Sequence, residues 1–350
     1  QIDVEMSFIT PEDIYPVMEG LIQTLYRDLL AVDVPAPFPR MTYADALERF
    51  GSDRPDIRFG MELRDLGDIA RESEFKVFQS VLENGGKISG LCVPGGAAFS
   101  RKEIDDLGSE AAIFGAKGLA WMKVSESGLE SSIAKFFSPA LQARLIERFA
   151  ARPGDLLLFV ADDPKVVYAS LGSLRLKIAA RLNLYDPNEN KFLWVVDFPM
   201  FEKGDDGLPT PCHHPFTSPH PDDLPYLESD PFRVRSLAYD MVLNGIEIGG
   251  GSIRIHSQEL QSRVFRLLGI DEAHARAKFG FLLDALRFGP PPHGGIAFGF
   301  DRLIMLMRRE PNIREVMAFP KNNRAQAVME GAPSAVEEAQ LKELGLRIRG

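Results

Sequence analysis

The stretch GIEIGGGSIRIH, residues 245–256, restricts the fold more than any other part of the chain. Its apolar residues alternate as in a half-buried strand, but three consecutive glycines, Gly249 to Gly251, interrupt the alternation. Successive strand residues face opposite ways, so Glu247 and Arg254, an odd number of positions apart, belong on opposite faces of an unbroken strand. The glycine triplet is where a β-bulge can shift that parity and return both to one face. Glycines there also let a flat ligand approach the backbone. On a shared face the carboxylate suits a hard cation and the guanidinium grips an anion with two parallel hydrogen bonds. A glycine-bent strand carrying only a cross-strand ion pair is the alternative.

Around this strand the chain reads as helices and strands without a repeating βαβ unit. QIDVEMSF (1–8) is an alternating strand already in progress at the first residue, which leads us to expect that the sequence starts inside a larger protein. TPEDIYPVMEGLIQTLYRDLL (10–30) predicts a helix capped by Thr10, with Pro11 in its first turn and Ile14, Val17, Met18, Leu21, Ile22, Leu25 and Leu29 on the apolar side. A proline-rich break precedes a short helix, TYADALERF, that ends at Gly51 in a GSDRPD turn.

From Gly67 to Arg181 the texture changes to a self-contained α+β package. FKVFQSVL, KISGLCVP, GLAWMKV and GDLLLFVADD are predicted strands; SRKEIDDLGSEAAIFG and SSIAKFFSPALQARLIERF are predicted helices. Beyond it, FLWVVDFPMFE, the glycine-triplet strand and GGIAFGFDRLIML supply strands, the last running into a helix. DPFRVRSLAYDMVLNG and SQELQSRVFRLLGI are predicted helices. The expected architecture is α+β: an antiparallel sheet flanked by helices in two parts, 1–66 and 182–350, with an inserted α+β domain over 67–181.

Two further clusters carry chemistry. CHHPFTSPH holds Cys212, His213, His214 and His220, but adjacent histidines rarely converge on one ion and a second zinc-site pair is absent from the sequence. A proline-bearing loop that sets one neutral imidazole against a ligand is the preferred reading; a surface histidine loop is the plain one. In HGGIAFGFDRLIML, small residues lead into Asp301 and Arg302 at a helix start, a setting suited to phosphate. Neither GxxxxGK[ST] nor GxGxxG occurs. Lys117, Lys123 and Lys135 are read as solvated or salt-bridged, and Trp121 and Trp194 as core.

Composition narrows the function classes. Lys and Arg total 40 against 50 Asp and Glu, a net charge of -10, which excludes unselective nucleic-acid binding by charge and leaves a local, specific contact. No apolar run reaches the length of a membrane span, and there is no positively charged start followed by an apolar stretch. Two distant cysteines fit a reducing cytoplasm.

Taken in order, these motifs resemble the class II aminoacyl-tRNA synthetases, in particular the bacterial-type aspartyl enzymes. QIDVEMSF is similar to the second strand of motif 2, GIEIGGGSIRIH to the amino-acid-pocket strand and GGIAFGFDRLIML to motif 3. FPMFE, HHPFTSPH, FGFLLDALRFGPPPHGG and NIREVMAFPK are also similar to that family. The resemblance spans essentially the whole chain, and the 67–181 package looks like the family's bacterial-type insertion.

It implies that Arg254 binds the side-chain carboxylate of L-aspartate, with His214 and His213 lining the pocket and Asp3 ordering its cationic groups. Gln1 would touch ATP; Gly299, Phe300 and Asp301 would form the adjoining ATP surface; and Arg302 would grip the γ-phosphate. Asp240 and Glu247 would hold Mg²⁺, and Glu247 and Arg302 would do the catalytic charge neutralisation. The implied reaction is ATP-dependent formation of aspartyl-adenylate and transfer to the 3′ end of tRNA(Asp), in a cytoplasmic homodimer. The family's anticodon-binding barrel, its dimer-forming motif 1 and the first motif 2 strand are not among these residues, so these residues alone are expected to activate aspartate poorly. A tRNA-independent aspartate-adenylating ligase and a catalytically silent synthetase-derived binding protein share the same motifs.

Overall fold

The computed structural model describes residues 1–204 and 207–349. Along the chain the elements are β1 (Ile2–Ser7), α1 (Pro11–Leu30), β2 (Arg40–Thr42), α2 (Tyr43–Phe50), β3 (Arg64–Asp65), α3 (Gly67–Glu72), α4 (Lys76–Glu83), β4 (Lys87–Val93) and α5 (Arg101–Ile113). There follow β5 (Ala120–Ser125), β6 (Gly128–Glu130), α6 (Pro139–Phe149), β7 (Leu156–Asp162), α7 (Pro164–Arg181), β8 (Phe192–Val196), β9 (Phe201–Lys203), β10 (Pro209–Pro211) and β11 (Ala238–Leu243). The last elements are β12 (Ile246–Ile253), α8 (Gln258–Leu267), α9 (Glu272–Leu286), β13 (His293–Phe298), α10 (Phe300–Arg308) and α11 (Glu338–Glu343). They fall into two compact units, Asp3–Ala297 and Gln1–Ile2 with residues 298–349.

The six-stranded sheet has the order β1-β13-β12-β11-β8-β2. β11 pairs antiparallel with both β12 and β8, while β2 runs parallel to β8 at the edge. All six residues of β11 are buried, because both faces of the sheet are covered at its centre. On one face Tyr15 of α1, Trp194 and Tyr239 form an aromatic cluster with centroids 4.7–6.1 Å apart. The Trp194 indole N–H there donates to the buried Glu19 carboxylate at 3.0 Å. The opposite face carries Leu193, Val195, Ala238 and Val242 against Ala46 of α2.

Two-sided burial also explains a correction. AYDMVL, read as part of a helix, is the central strand β11, preceded by a short 3-10 turn at Pro231–Arg233. A strand buried on both faces loses the period-two signal, leaving an apolar run that periodicity cannot assign. FKVFQSVL, read as a strand, is helix α4; Phe75, Phe78 and Leu82 recur at helical spacing, and Phe78 is buried. The helices α7 and α9 were not anticipated. In α1 the cap and Pro11 are as expected, but Val17 and Leu29 are exposed, and the buried face is Ile14, Tyr15, Met18, Ile22 and Tyr26.

A second sheet, order β3-β4-β7-β5-β6, is antiparallel throughout. The alternating residues of β7 feed two cores: Leu157 and Phe159 pack with Ile69, Phe78 and Leu145 on one side, and Leu156, Leu158 and Val160 with Ile104, Val167 and Leu174 on the other. β3 lies ahead of Gly67, so this sheet begins in the chain before the package marked out by texture.

Arg175 of α7 fastens this package to the loop after α2. It is almost fully buried and donates to the carbonyls of Asp56, Phe59, Gly60 and Met61 at 2.8–3.1 Å, with its guanidinium 3.9 Å from the Phe59 ring centre. Burial pulls its pKa down to about 10, so it remains a cation at neutral pH.

Candidate active site

The bulge occurs in β12, and it falls at Ile248. Asp240 pairs with Gly250 and Met241 with Gly249, but Val242 pairs with Glu247, so Ile248 is the extra residue. This moves Glu247 onto the face shared by Gly250, Ser252 and Arg254. Gly250 and Gly251 each face something that a side chain would strike. A Cβ on Gly250 would stand 2.6 Å from Asp240 Oδ1, and one on Gly251 would stand 2.0 Å from the Gly295 carbonyl oxygen.

On that face lies a cavity of about 500 Å³. Asp240, Glu247 and Arg254 line it together with His213 and His214. His213 meets Phe198 edge-on at 4.7 Å, and His214 stacks on Phe216 at 5.3 Å. Burial pushes both imidazoles below the ordinary histidine range, with Arg254 adding to the effect, so both are neutral at pH 7. His214 Nδ1 accepts from the Phe216 N–H at 3.3 Å, which leaves its proton on Nε2 as a donor. His220 instead accepts from the Asp222 N–H and caps the turn at Pro221–Tyr226.

Arg254 is held from two strands. Nη1 donates to Ser252 Oγ at 2.6 Å and Nη2 to Glu5 Oε1 at 3.0 Å. Asp3 sits two residues before Glu5 and so shares its strand face. Gln1 and the segment Gly299 to Arg302 belong to the other compact unit, where Gly299 is the N-cap of α10 and Phe300, Asp301 and Arg302 form its first turn.

The carboxylates are the strongest electrostatic feature of the cavity. Burial, then the charges of Glu247 and Asp53, push Asp240 up to about 8. Such a shift keeps the Asp240 carboxyl largely protonated at pH 7, and a cation placed beside it would favour the charged form. The room left by Gly250 and the adjacent Glu247 fit Mg²⁺, a hard ion that takes a few carboxylate oxygens and completes its shell with phosphate and water. Among the described residues no three His, Cys, Asp or Glu side chains are arranged to hold a metal ion.

Sequence reading missed Glu5, Asp53, Glu202, Tyr43 and Ser252. Glu5 stood in a recognised strand, but only the tertiary fold brings β1 to Arg254. Asp53 stood in a GSDRPD turn where aspartate is the ordinary turn residue.

Residues 1–323 match the family model for class II tRNA synthetases (D, K and N), and the chain belongs to that family. Aspartate–tRNA(Asp/Asn) ligase of Moorella thermoacetica is 51% identical over 348 residues, 99% of this chain and 58% of that protein. The ligase of the same name from Caldanaerobacter subterraneus subsp. tengcongensis is 52% identical over 349 residues, covering 99% and 59%. Aspartate–tRNA ligase of Ruminiclostridium cellulolyticum is 51% identical over 350 residues, again 99% and 59%. The chain therefore spans less than two thirds of the length of these relatives. Among the described residues no helix is long and apolar enough to cross a membrane.

Proposed function

We propose that the chain carries the amino-acid pocket of an aspartate–tRNA ligase, a protein that activates L-aspartate with ATP for transfer to tRNA(Asp). The observation that carries this reading is one cavity that sets Arg254 and two neutral imidazoles beside the Asp240–Glu247 pair. A single cationic grip among neutral donors suits an amino acid with a carboxylate side chain, and the acidic pair suits the cation that accompanies ATP. Attack of the aspartate α-carboxylate on the α-phosphate breaks the bond to pyrophosphate, leaving aspartyl-adenylate. The protein's work is to position the reactants and offset charge, so no side-chain nucleophile is required.

In this reading Arg254 pairs with the side-chain carboxylate of aspartate, His214 and His213 line its pocket, and Asp3 orders the cationic groups. Asp240 and Glu247 hold Mg²⁺, which would neutralise phosphate charge. Gln1, Gly299, Phe300 and Asp301 contact ATP, and Arg302 grips its γ-phosphate. A homodimer in the cytoplasm belongs to the same reading.

Asparagine presents a neutral amide where aspartate presents a charge. Arg254 facing that amide loses a charge-assisted pair, about 2–3 kcal/mol. The test is aspartate-dependent ATP–pyrophosphate exchange by the polypeptide that carries these residues. Exchange with aspartate is expected, far weaker with asparagine, and Arg254→Ala should lower kcat/KM for aspartate by roughly a hundredfold. Exchange that is indifferent to Arg254, or equal with the two amino acids, refutes the reading.

A further inference from the structure

Arg254 lies on the wall between two cavities. One is the acidic cavity described above; the other, about 570 Å³, is lined by Glu5, Phe216, Leu282, Leu286 and His293, and shares His214 and Arg254 with the first. A guanidinium on such a wall can swing to either side, and a long flexible arginine gives up conformational freedom when it is held. Two anchors hold it here. Ser252 takes Nη1, and Glu5, reaching from β1, takes Nη2. Of the five N–H donors in the guanidinium fork, three remain for a ligand carboxylate.

The Glu5 carboxylate is itself seated. It lies over the bare backbone of β13, where a Cβ on Gly295 would stand 2.5 Å from Glu5 Cδ and 2.7 Å from Glu5 Oε1. The Gly295 carbonyl in turn accepts from the buried Tyr239 hydroxyl at 3.0 Å. A chain of contacts thus runs from the aromatic cluster beneath the sheet, through a glycine, to the carboxylate that grips the arginine.

We propose that Glu5 is a positioning residue for amino-acid recognition: it fixes one edge of Arg254 so that the remaining donors meet a carboxylate, and so supports selection of aspartate over asparagine. This rests on Arg254 binding the aspartate side chain. The two effects of Glu5 oppose each other and can be separated. Its charge weakens the pull of Arg254 on an anion, whereas its hydrogen bond orients the fork. Glutamine keeps an acceptor oxygen and loses the charge; alanine loses both.

ATP–pyrophosphate exchange with Glu5→Ala, Glu5→Gln and Arg254→Ala tests this. Glu5→Ala is expected to raise KM for aspartate about tenfold and narrow the aspartate-to-asparagine ratio of kcat/KM, with KM for ATP unchanged. Glu5→Gln should stay near the parent in both. An unchanged aspartate KM in Glu5→Ala, a KM lowered in both Glu5 variants, or an equal rise in the KM values for aspartate and ATP overturns the inference. Where Arg254→Ala is impaired and Glu5→Ala is normal, the positioning role alone fails. Where Arg254→Ala leaves the aspartate KM untouched, the reading of the site fails with it.

Discussion

Asp223 shows how much one buried carboxylate can depend on a single partner. It is buried, and both of its oxygens accept from Arg235, at 2.7 and 3.1 Å, while the Arg235 backbone N–H adds a third bond. The Arg235 hydrogen bonds hold its carboxyl down to about 2, against the opposing effect of burial. A folded pKa below the unfolded value means stability that is fully present above about pH 4 and lost as pH falls through about 2. Because Arg235 is part-exposed, screening reduces the contribution to about 1–2 kcal/mol. Asp223→Asn should therefore cost that much at neutral pH in urea unfolding, and the gap to the parent should close between about pH 4 and about pH 2. A gap independent of pH rules out the ion pair as its source. Arg254 and the two histidines were singled out in the sequence because their residue types and neighbours are unusual. Asp223, Asp53 and Glu5 were not, since a carboxylate in a turn or strand looks the same whether it faces solvent or a guanidinium.

At the level of elements, the glycine-triplet strand tests the packing argument most sharply. A Cβ on Gly251 would stand 2.0 Å from the Gly295 carbonyl oxygen and 2.8 Å from both Ile296 Cα and the Tyr239 ring. Two of those neighbours are backbone and cannot rotate away. Gly251→Ala should destabilise by about 3 kcal/mol or more in a chemical melt. Gly20 lies inside α1, and a Cβ there would meet nothing within 4 Å. Gly20→Ala should accordingly stabilise by about 0.5–1 kcal/mol through helix propensity alone. If both substitutions have the same sign, close strand approach is not what the triplet serves. Capped amphipathic helices such as α1, α2 and α8 were legible from their caps and periodicity. Strand β11 was not, because burial on both faces erases the alternation that marks a strand.

Across the whole chain, the unit Asp3–Ala297 holds the two large sheets, and Arg175 is one fastening between them. Its four carbonyl partners all lie between Asp56 and Met61, a few residues after Asp53, which lines the acidic cavity. Arg175→Met keeps the apolar stem and removes every one of these bonds. It should cost about 3 kcal/mol or more, since buried carbonyls are left without partners. It should also quicken hydrogen exchange over residues 53–61 more than in the strands of either sheet. Uniform exchange would mean that the loop is held by other contacts.

The sequence by itself determined the local elements wherever caps, periodicity and turn residues agree. It also marked the strand that needed a bulge, because parity along a strand is a local property. Only the tertiary structure decided which residues meet at that strand. Glu5 meets Arg254, and Asp240 shares a cavity with it, only because β1, β13, β12 and β11 lie side by side in one sheet. The bulge at Ile248 and the bare backbones of Gly250, Gly251 and Gly295 set the distances at which they do so. Long-range pairing leaves no local signature, so the chemistry-bearing residue types are visible in one dimension, but which of them share a cavity is settled in three.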